Sequence, residues 1–359
     1  MKTKDICLFT NNVSPGIANL IQILNSADVC LSVFADSKTK QPLADHDICF
    51  PLVQELKKEN IHSHGTSINK EWSVFFFTWA HWVPYSRQQI NKLKDQVNKA
   101  EKVVLLYDAS FGTSITRLIQ QIRDIRGHKQ IFQKVNEVCY MTDFPKVDFF
   151  SKFKRKFAFQ TTAAVNINYC ENLSNDLYKN YDPKIKRTYW GMVSGNHGTT
   201  YRQKVLRTLE RYLEESSICL KVDKISKKTT KSQKTFYWSV GNSMISTNSY
   251  FNLLRNSNFT ICLPGTYWTP RPFEAMACGS IPVMENDYKH SYDIPFKDGV
   301  NCISLGKTLK GDIWTRALNR ILEFSEEKLI DIRKNIHELR QTHLLPEIHY
   351  KRQIRRYLG

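Results

Sequence analysis

Residues 262–283, CLPGTYWTPRPFEAMACGSIPV, join two apolar runs through a short turn and a segment of small residues. Cys262-Leu263 closes the first run at Pro264-Gly265, and Ile281-Pro282-Val283 opens the second. Between them, Arg271-Pro272-Phe273-Glu274 begins a helix that stops at Cys278-Gly279, with Pro270 and Pro272 stiffening its entry and Gly265 permitting a tight exit from the strand. Strand, helix and strand at this spacing predict a parallel βαβ unit, and open parallel sheets bind ligands at the carboxyl ends of their strands. An arginine and a glutamate at that point read as binding groups. The Arg271 guanidinium is a planar fork suited to a phosphate, and the free N–H groups of a helix start suit the same anion. Glu274, one turn in, can accept two hydroxyl hydrogen bonds, as a ribose diol offers. The plain alternative is a solvated helix start whose glutamate matches the helix dipole.

Outward from this unit the same alternation continues. Upstream, 186–195 reads as strand and loop, 199–216 as helix, 218–223 as strand, 248–256 as helix and 259–265 as strand, with a basic Ser/Thr-rich loop running to about residue 234. Downstream come strands at 281–286 and 301–305, then helical segments at 312–324 and 326–341. The first 150 residues hold a second set, with strands at 5–12, 29–36, 72–82, 102–110 and 137–144. Its helices are 15–27, 86–100 with Ser86 as N-cap, and 114–126. Near-continuous apolar strands separated by helices predict parallel sheets covered on both faces. The rhythm lapses over 145–186, where Phe, Lys, Asn and Tyr dominate. The expected fold is α/β: two Rossmann-like domains, 1–150 and 187–335, with parallel sheets facing a central cleft, joined by 151–186 and followed by a basic helical tail over 336–359.

Composition bounds the partners. The chain has 359 residues, 41% of them hydrophobic and 24% charged, enough for two ordinary cores. A net charge of +18 favours anionic partners: phosphorylated ligands, an acidic membrane surface or nucleic acid. The basic clusters at 152–156, 224–234 and 350–356 are dispersed, however, and do not gather on one predicted helix. The nine cysteines include no CxxC pair, so buried thiols in a reducing compartment are expected rather than disulfides or a zinc site. No apolar run is long enough to span a bilayer, and Asp5 interrupts the start MKTKDICLFTNN, which therefore does not read as a signal peptide. A cytoplasmic protein is expected, with peripheral contact to an anionic membrane as a further option; loss of an N-terminal anchor would instead indicate the Golgi or ER lumen.

The order of residues from Tyr250 to Val283 resembles the signature of the exostosin-like glycosyltransferases, closest in pattern to the ribitol xylosyltransferase branch. The matching residues are Tyr250, Leu253-Leu254, Ser257, Phe259, Cys262-Leu263-Pro264-Gly265, Arg271, Phe273-Glu274-Ala275, Gly279 and Ile281-Pro282-Val283. Tyr189, Gly195 and Arg202 match upstream. The resemblance implies a GT-B enzyme whose second domain holds a UDP-sugar and whose first domain binds a glycan or lipid-linked saccharide acceptor. Gly265, Thr266, Tyr267, Arg271, Pro272, Phe273 and Glu274 would then line the nucleotide-sugar site, with Arg202 beside the diphosphate. Tyr267 and Trp268 can stack on the base or sugar, or plug the domain interface; Gly195 and His197, in the Gly-rich loop 195–200, are weaker donor contacts.

Retaining GT-B enzymes of the glycogen-synthase type usually carry a second glutamate eight residues before the one matched by Glu274. Thr266 stands there instead, which implies inversion, although spore-coat-type enzymes share a similar truncated motif. An inverting displacement needs a general base for the acceptor hydroxyl and positive charge for the departing diphosphate. Asp36, His81, Asp108 and Asp143 are placed at predicted strand ends of the first domain; Asp108 follows the strongest strand, and His81 lies among Trp79, Trp82 and Tyr85. Each has a bland counterpart, a turn-capping aspartate or a core histidine. Asp45-His46-Asp47 lies in a polar loop and no DxD triplet stands at a strand end, so neither a catalytic metal nor a cofactor is expected. Nucleic acid is not an expected partner. The rival readings are a basic nucleic-acid-binding protein on a Rossmann scaffold and an epimerase of GT-B shape.

Overall fold

The computed structural model describes residues 4–10, 20–21, 24, 29–35, 61–62, 69–80, 85–108, 114–140, 155–158, 182–195, 200–216, 219–221, 234–240, 247–263, 271–285, 295–305, 312–344 and 348. The chain divides into two compact units, residues 1–161 with 346–359, and residues 162–345.

The first unit is built on a seven-stranded parallel sheet. Its strands are β1 (Lys4–Thr10), β2 (Val29–Ala35), β3 (Ile61–His62), β4 (Trp72–Ala80), β5 (Ala100–Asp108), β6 (Glu137–Tyr140) and β7 (Arg155–Ala158), in the order β3-β2-β1-β4-β5-β6-β7. The strand direction of travel reverses between β1 and β4, the switch point where such sheets leave a crevice at the carboxyl ends. Helices α1 (Arg87–Asn98), α2 (Ser114–Gly127) and α3 (Lys129–Lys134) connect β4, β5 and β6. Because these strands step in one direction, right-handed crossovers put the three helices on one face. Ile90, Leu93 and Val97 of α1 and Ile131 and Phe132 of α3 accordingly pack in one cluster with Phe75, Phe77, Val103 and Leu105. Helix α1 starts where Ser86 predicts: Ser86 Oγ accepts from Gln89 N at 3.3 Å and Gln89 Oε1 accepts from Ser86 N at 2.7 Å, a complete capping box.

The second unit carries a six-stranded parallel sheet of β8 (Tyr189–Gly195), β9 (Cys219–Lys221), β10 (Phe236–Val240), β11 (Ser257–Ile261), β12 (Ile281–Met284) and β13 (Ile303–Ser304), ordered β13-β12-β11-β8-β10-β9. Its helices are α4 (Thr200–Glu215), α5 (Thr247–Arg255), α6 (Arg271–Ala277), α7 (Asp312–Leu322) and α8 (Glu326–Leu339). Here the switch point lies between β8 and β11. One core gathers Leu206, Leu209 and Leu213 of α4, Phe259 and Ile261 of β11, Trp314 and Leu318 of α7, and Ile332 and Ile336 of α8.

Two arginines brace this unit, Arg333 buried and Arg187 half-buried. Arg187 donates to the carbonyls of Leu254, Arg255, Ser257 and Cys278 at 2.7–3.2 Å, satisfying groups at the ends of α5 and α6. Arg333 reaches the carbonyl of Pro183 and the side chain of Asn258.

Four elements differ from the sequence expectation. The two-residue β3 and the four-residue β7 are too short to show a period, and β7 carries the first sheet past residue 150. Helix α3 follows α2 after His128, in the interval left unassigned between the expected helix 114–126 and the expected strand 137–144. Strand β10, FYWSV, has the aromatic composition of a strand but follows a loop without a turn signal; it is an interior strand paired to both β8 and β9.

A candidate binding site at the carboxyl ends of the second sheet

At the second switch point, β8 ends at Gly195 and β11 at Ile261, and α6 begins at Arg271. The Arg271 guanidinium is half-buried and donates from Nη1 to the Ser194 carbonyl, so it lies across the strand end rather than out in solvent. Gly195 makes this possible. Its φ is +142°, and a Cβ built there would stand 3.1 Å from Arg271 Nη1 and 3.5 Å from Leu263 Cδ1. A side chain would therefore meet both backbone strain and the guanidinium, and the motif needs glycine for close approach.

Glu274 lies one turn into α6 and is only 8% exposed. Its Oε2 accepts a 2.8 Å hydrogen bond from the hydroxyl of Tyr250, which projects from α5. The Tyr250 ring also faces Arg271, with Cζ of the guanidinium 5.8 Å from the ring centroid. Burial, reinforced by the negative charge of Glu274, pushes the Tyr250 hydroxyl well above its ordinary value, so it remains a neutral donor. Burial opposes the charge on Arg271, but Tyr250 and Glu274 more than offset that and raise its pKa. Cys262, fully buried at the end of β11, is raised by burial and stays a neutral thiol beside them. One cation and one carboxylate are thus presented on adjacent turns of one helix, oriented by a tyrosine from another.

Helix α6 is closed as its sequence predicts. Gly279, with φ 68°, donates to Met276 O at 2.9 Å and Ser280 to Ala275 O at 2.8 Å, a Schellman pair that turns the chain into β12. At seven residues the helix is shorter than the reading from 271 to 279 and its macrodipole is correspondingly small, so the Arg271 side chain is the main positive group at this point.

The structure brings together Arg271, Glu274 and Gly195; Pro272 is buried beside them, Phe273 belongs to α6, and Arg202 sits half-buried in the first turn of α4, directly downstream of β8. Gly265, Thr266, Tyr267, Trp268 and His197 lie outside the described residues, as do Asp36, His81 and Asp143. Asp108 is the last residue of β5, in register with Ala80 of β4, at the carboxyl edge of the first sheet. At that edge Thr78 Oγ1 donates to Thr10 Oγ1 at 3.1 Å and Tyr85 donates to the Thr78 carbonyl at 2.9 Å, tying together β1 and β4 at the switch point.

Two features escaped the sequence reading. Tyr250 carried a signature match but no role, because nothing local links it to a residue 24 positions on in another helix. Glu285, directly after β12, accepts from the Tyr201 hydroxyl at 2.6 Å, joining that strand end to the first turn of α4. Its strand-end position was the available signal.

Residues 149–303 match the Exostosin GT47 domain. A search of the curated proteins finds no match in sequence. Among solved structures, an α-glucosyltransferase in complex with UDP and a 13-mer DNA superposes with a TM-score of 0.59 at 12% identity, covering 100% of both chains. A glycosyltransferase from Rickettsia africae gives 0.55 at 10% identity, covering 99% of this chain and 98% of that one. Anabaena HepE in complex with UDP and glucose gives 0.50 at 13%, covering 98% and 100%. These likenesses establish the fold, two parallel α/β units of the GT-B class.

Proposed function

We propose that this chain, an exostosin-like glycosyltransferase of GT-B fold, moves a sugar from a UDP-sugar to a hydroxyl of a glycan or lipid-linked saccharide, with inversion and without a metal ion. The observation that carries the proposal is the Arg271–Glu274 pair at the β8/β11 switch point, a phosphate ligand and a diol ligand one helical turn apart. In this reading Glu274 accepts from the ribose hydroxyls, while Arg271, together with Arg202, neutralises the diphosphate as the glycosidic bond breaks. Uridine as the base is favoured by the UDP bound in the α-glucosyltransferase and in Anabaena HepE. Inversion is favoured by Thr266 in place of a second glutamate. Side-chain cations can take the role that a divalent ion plays elsewhere, because both meet the same developing charge.

Calorimetric titration with UDP in excess EDTA tests this. The native protein is expected to bind UDP equally well with and without EDTA. Glu274→Gln, which preserves shape, is expected to weaken both UDP and uridine by about 10–100-fold, the worth of a pair of charge-assisted hydrogen bonds at about 1.5–3 kcal/mol. Binding that vanishes in EDTA and returns with manganese would establish a metal-dependent site. A Glu274→Gln protein that binds uridine normally would leave the helix start purely structural.

Two observations favour a second acceptor class: the charge of +18, and a fold neighbour seen with DNA. Duplex DNA as acceptor would show as binding that collapses steeply with added salt, whereas binding of a neutral glycan would not.

A further inference from the structure

We propose that Tyr250 is a positioning residue that holds the Glu274 carboxylate and the Arg271 guanidinium in one preformed arrangement, so that ribose and diphosphate are gripped by a single unit. The inference rests on the reading of Glu274 as the ribose ligand and adds to it a residue from a separate helix. Three observations carry it. The Tyr250 hydroxyl donates to Glu274 Oε2 at 2.8 Å, fixing the plane of a carboxylate that is 8% exposed. The same ring faces the Arg271 guanidinium at 5.8 Å. The ring is itself held edge-on against the fully buried Phe251, with centroids 5.5 Å apart. One anchored side chain therefore contacts both charged groups at once.

The physical advantage is preorganisation. Glutamate and arginine have many rotamers, and ordering them when the ligand arrives would subtract from affinity. Tyrosine has only two such angles, so it is an inexpensive splint. Its hydroxyl satisfies one carboxylate oxygen before the ligand arrives, and its ring face suits a cation that must stay charged while half-buried. Because the hydroxyl acts on Glu274 and the ring on Arg271, the two functions separate by substitution. Tyr250→Phe removes only the first; Tyr250→Leu removes both.

Uridine and UDP binding by calorimetry, with steady-state kinetics on UDP-glucose hydrolysis or transfer, provide the test. Tyr250→Phe is expected to weaken uridine and UDP about tenfold and raise KM for the donor similarly, with kcat changed by less than about twofold. Tyr250→Leu should lower kcat as well. In the double variant Tyr250→Phe/Glu274→Gln, uridine binding should be no weaker than in Glu274→Gln alone, because the hydroxyl acts only through that carboxylate. Thermal unfolding without ligand identifies a variant that has lost its fold, and Tyr250→Phe then supplies the deciding comparison. If Glu274→Gln loses uridine while Tyr250→Phe binds it normally, the positioning role is overturned and the donor site stands. Additive losses in the double variant overturn it too. If Glu274→Gln itself binds uridine normally, the donor reading fails first.

Discussion

Arg271→Ala is expected to lower turnover by about 10²–10³ while weakening binding of the intact UDP-sugar by no more than about tenfold. The asymmetry follows from when the charge appears. In the ground state the diphosphate shares its charge with water and neighbouring donors; as the glycosidic bond breaks, another negative charge develops on the oxygen leaving with UDP. A guanidinium already fixed against the Ser194 carbonyl and under Gly195 needs no reorganisation to meet it. Arg271→Lys should recover only part of the loss, because a single ammonium cannot hold the strand-end carbonyl and a phosphate oxygen with the same fork. Uridine, which has no phosphate, should bind Arg271→Ala as it binds the native protein. Comparing kcat and donor KM with the calorimetric affinities for uridine and UDP checks all three points. Equal loss of uridine affinity and turnover would mean that the substitution merely disorders α6. A native-like kcat would remove Arg271 from the chemistry.

The second large effect concerns the proton. Asp108→Asn is expected to reduce kcat by about 10²–10⁴, the usual worth of a general base, with UDP affinity unchanged. Asp108 ends β5 at the carboxyl edge of the first sheet, one strand from the β1/β4 switch point, and belongs to the other compact unit from Arg271 and Glu274. A residue of that unit that takes the acceptor proton has no reason to alter the nucleotide's own contacts. The pH profile separates this from a structural effect: the native profile should lose its acidic limb in Asp108→Asn, and the residual rate should not recover at higher pH. Near-native turnover in Asp108→Asn would pass the role to His81 and then to Asp36.

Much of this site was legible in the chain before it folded, and the residues show why. The Arg271–Glu274 spacing is local, so one helical turn brings both to one end of a strand–helix unit whatever surrounds it. Gly279 closes α6 because only the backbone of that residue and its neighbours is involved. Ser86 caps α1 for the same reason. Gly195 matched the pattern but its purpose did not show, since the group it must clear, the Arg271 guanidinium, lies 76 residues away in sequence. Tyr250 is the stronger case. A tyrosine in an amphipathic helix reads as core filling, and only the packing of α5 against α6 turns its hydroxyl toward a carboxylate.

The sequence by itself determined the class of fold: its continuous apolar strands, spaced by helices, can bury both faces only in parallel α/β sheets. It determined that Arg271 and Glu274 would share one turn of the helix that follows the strand ending at Ile261. Strand order was decided by the tertiary structure. Nothing local tells β10 to insert between β8 and β9, or β7 to extend the first sheet, because the hydrogen bonds that settle those places join residues distant in sequence. Strand order in turn set the switch point between β8 and β11, and so brought the Ser194 carbonyl within reach of Arg271. Periodicity carries information about which face an element buries; it carries none about which neighbour buries it. The placement of Arg271 and Glu274 was therefore readable, while the contacts that orient them required the folded chain.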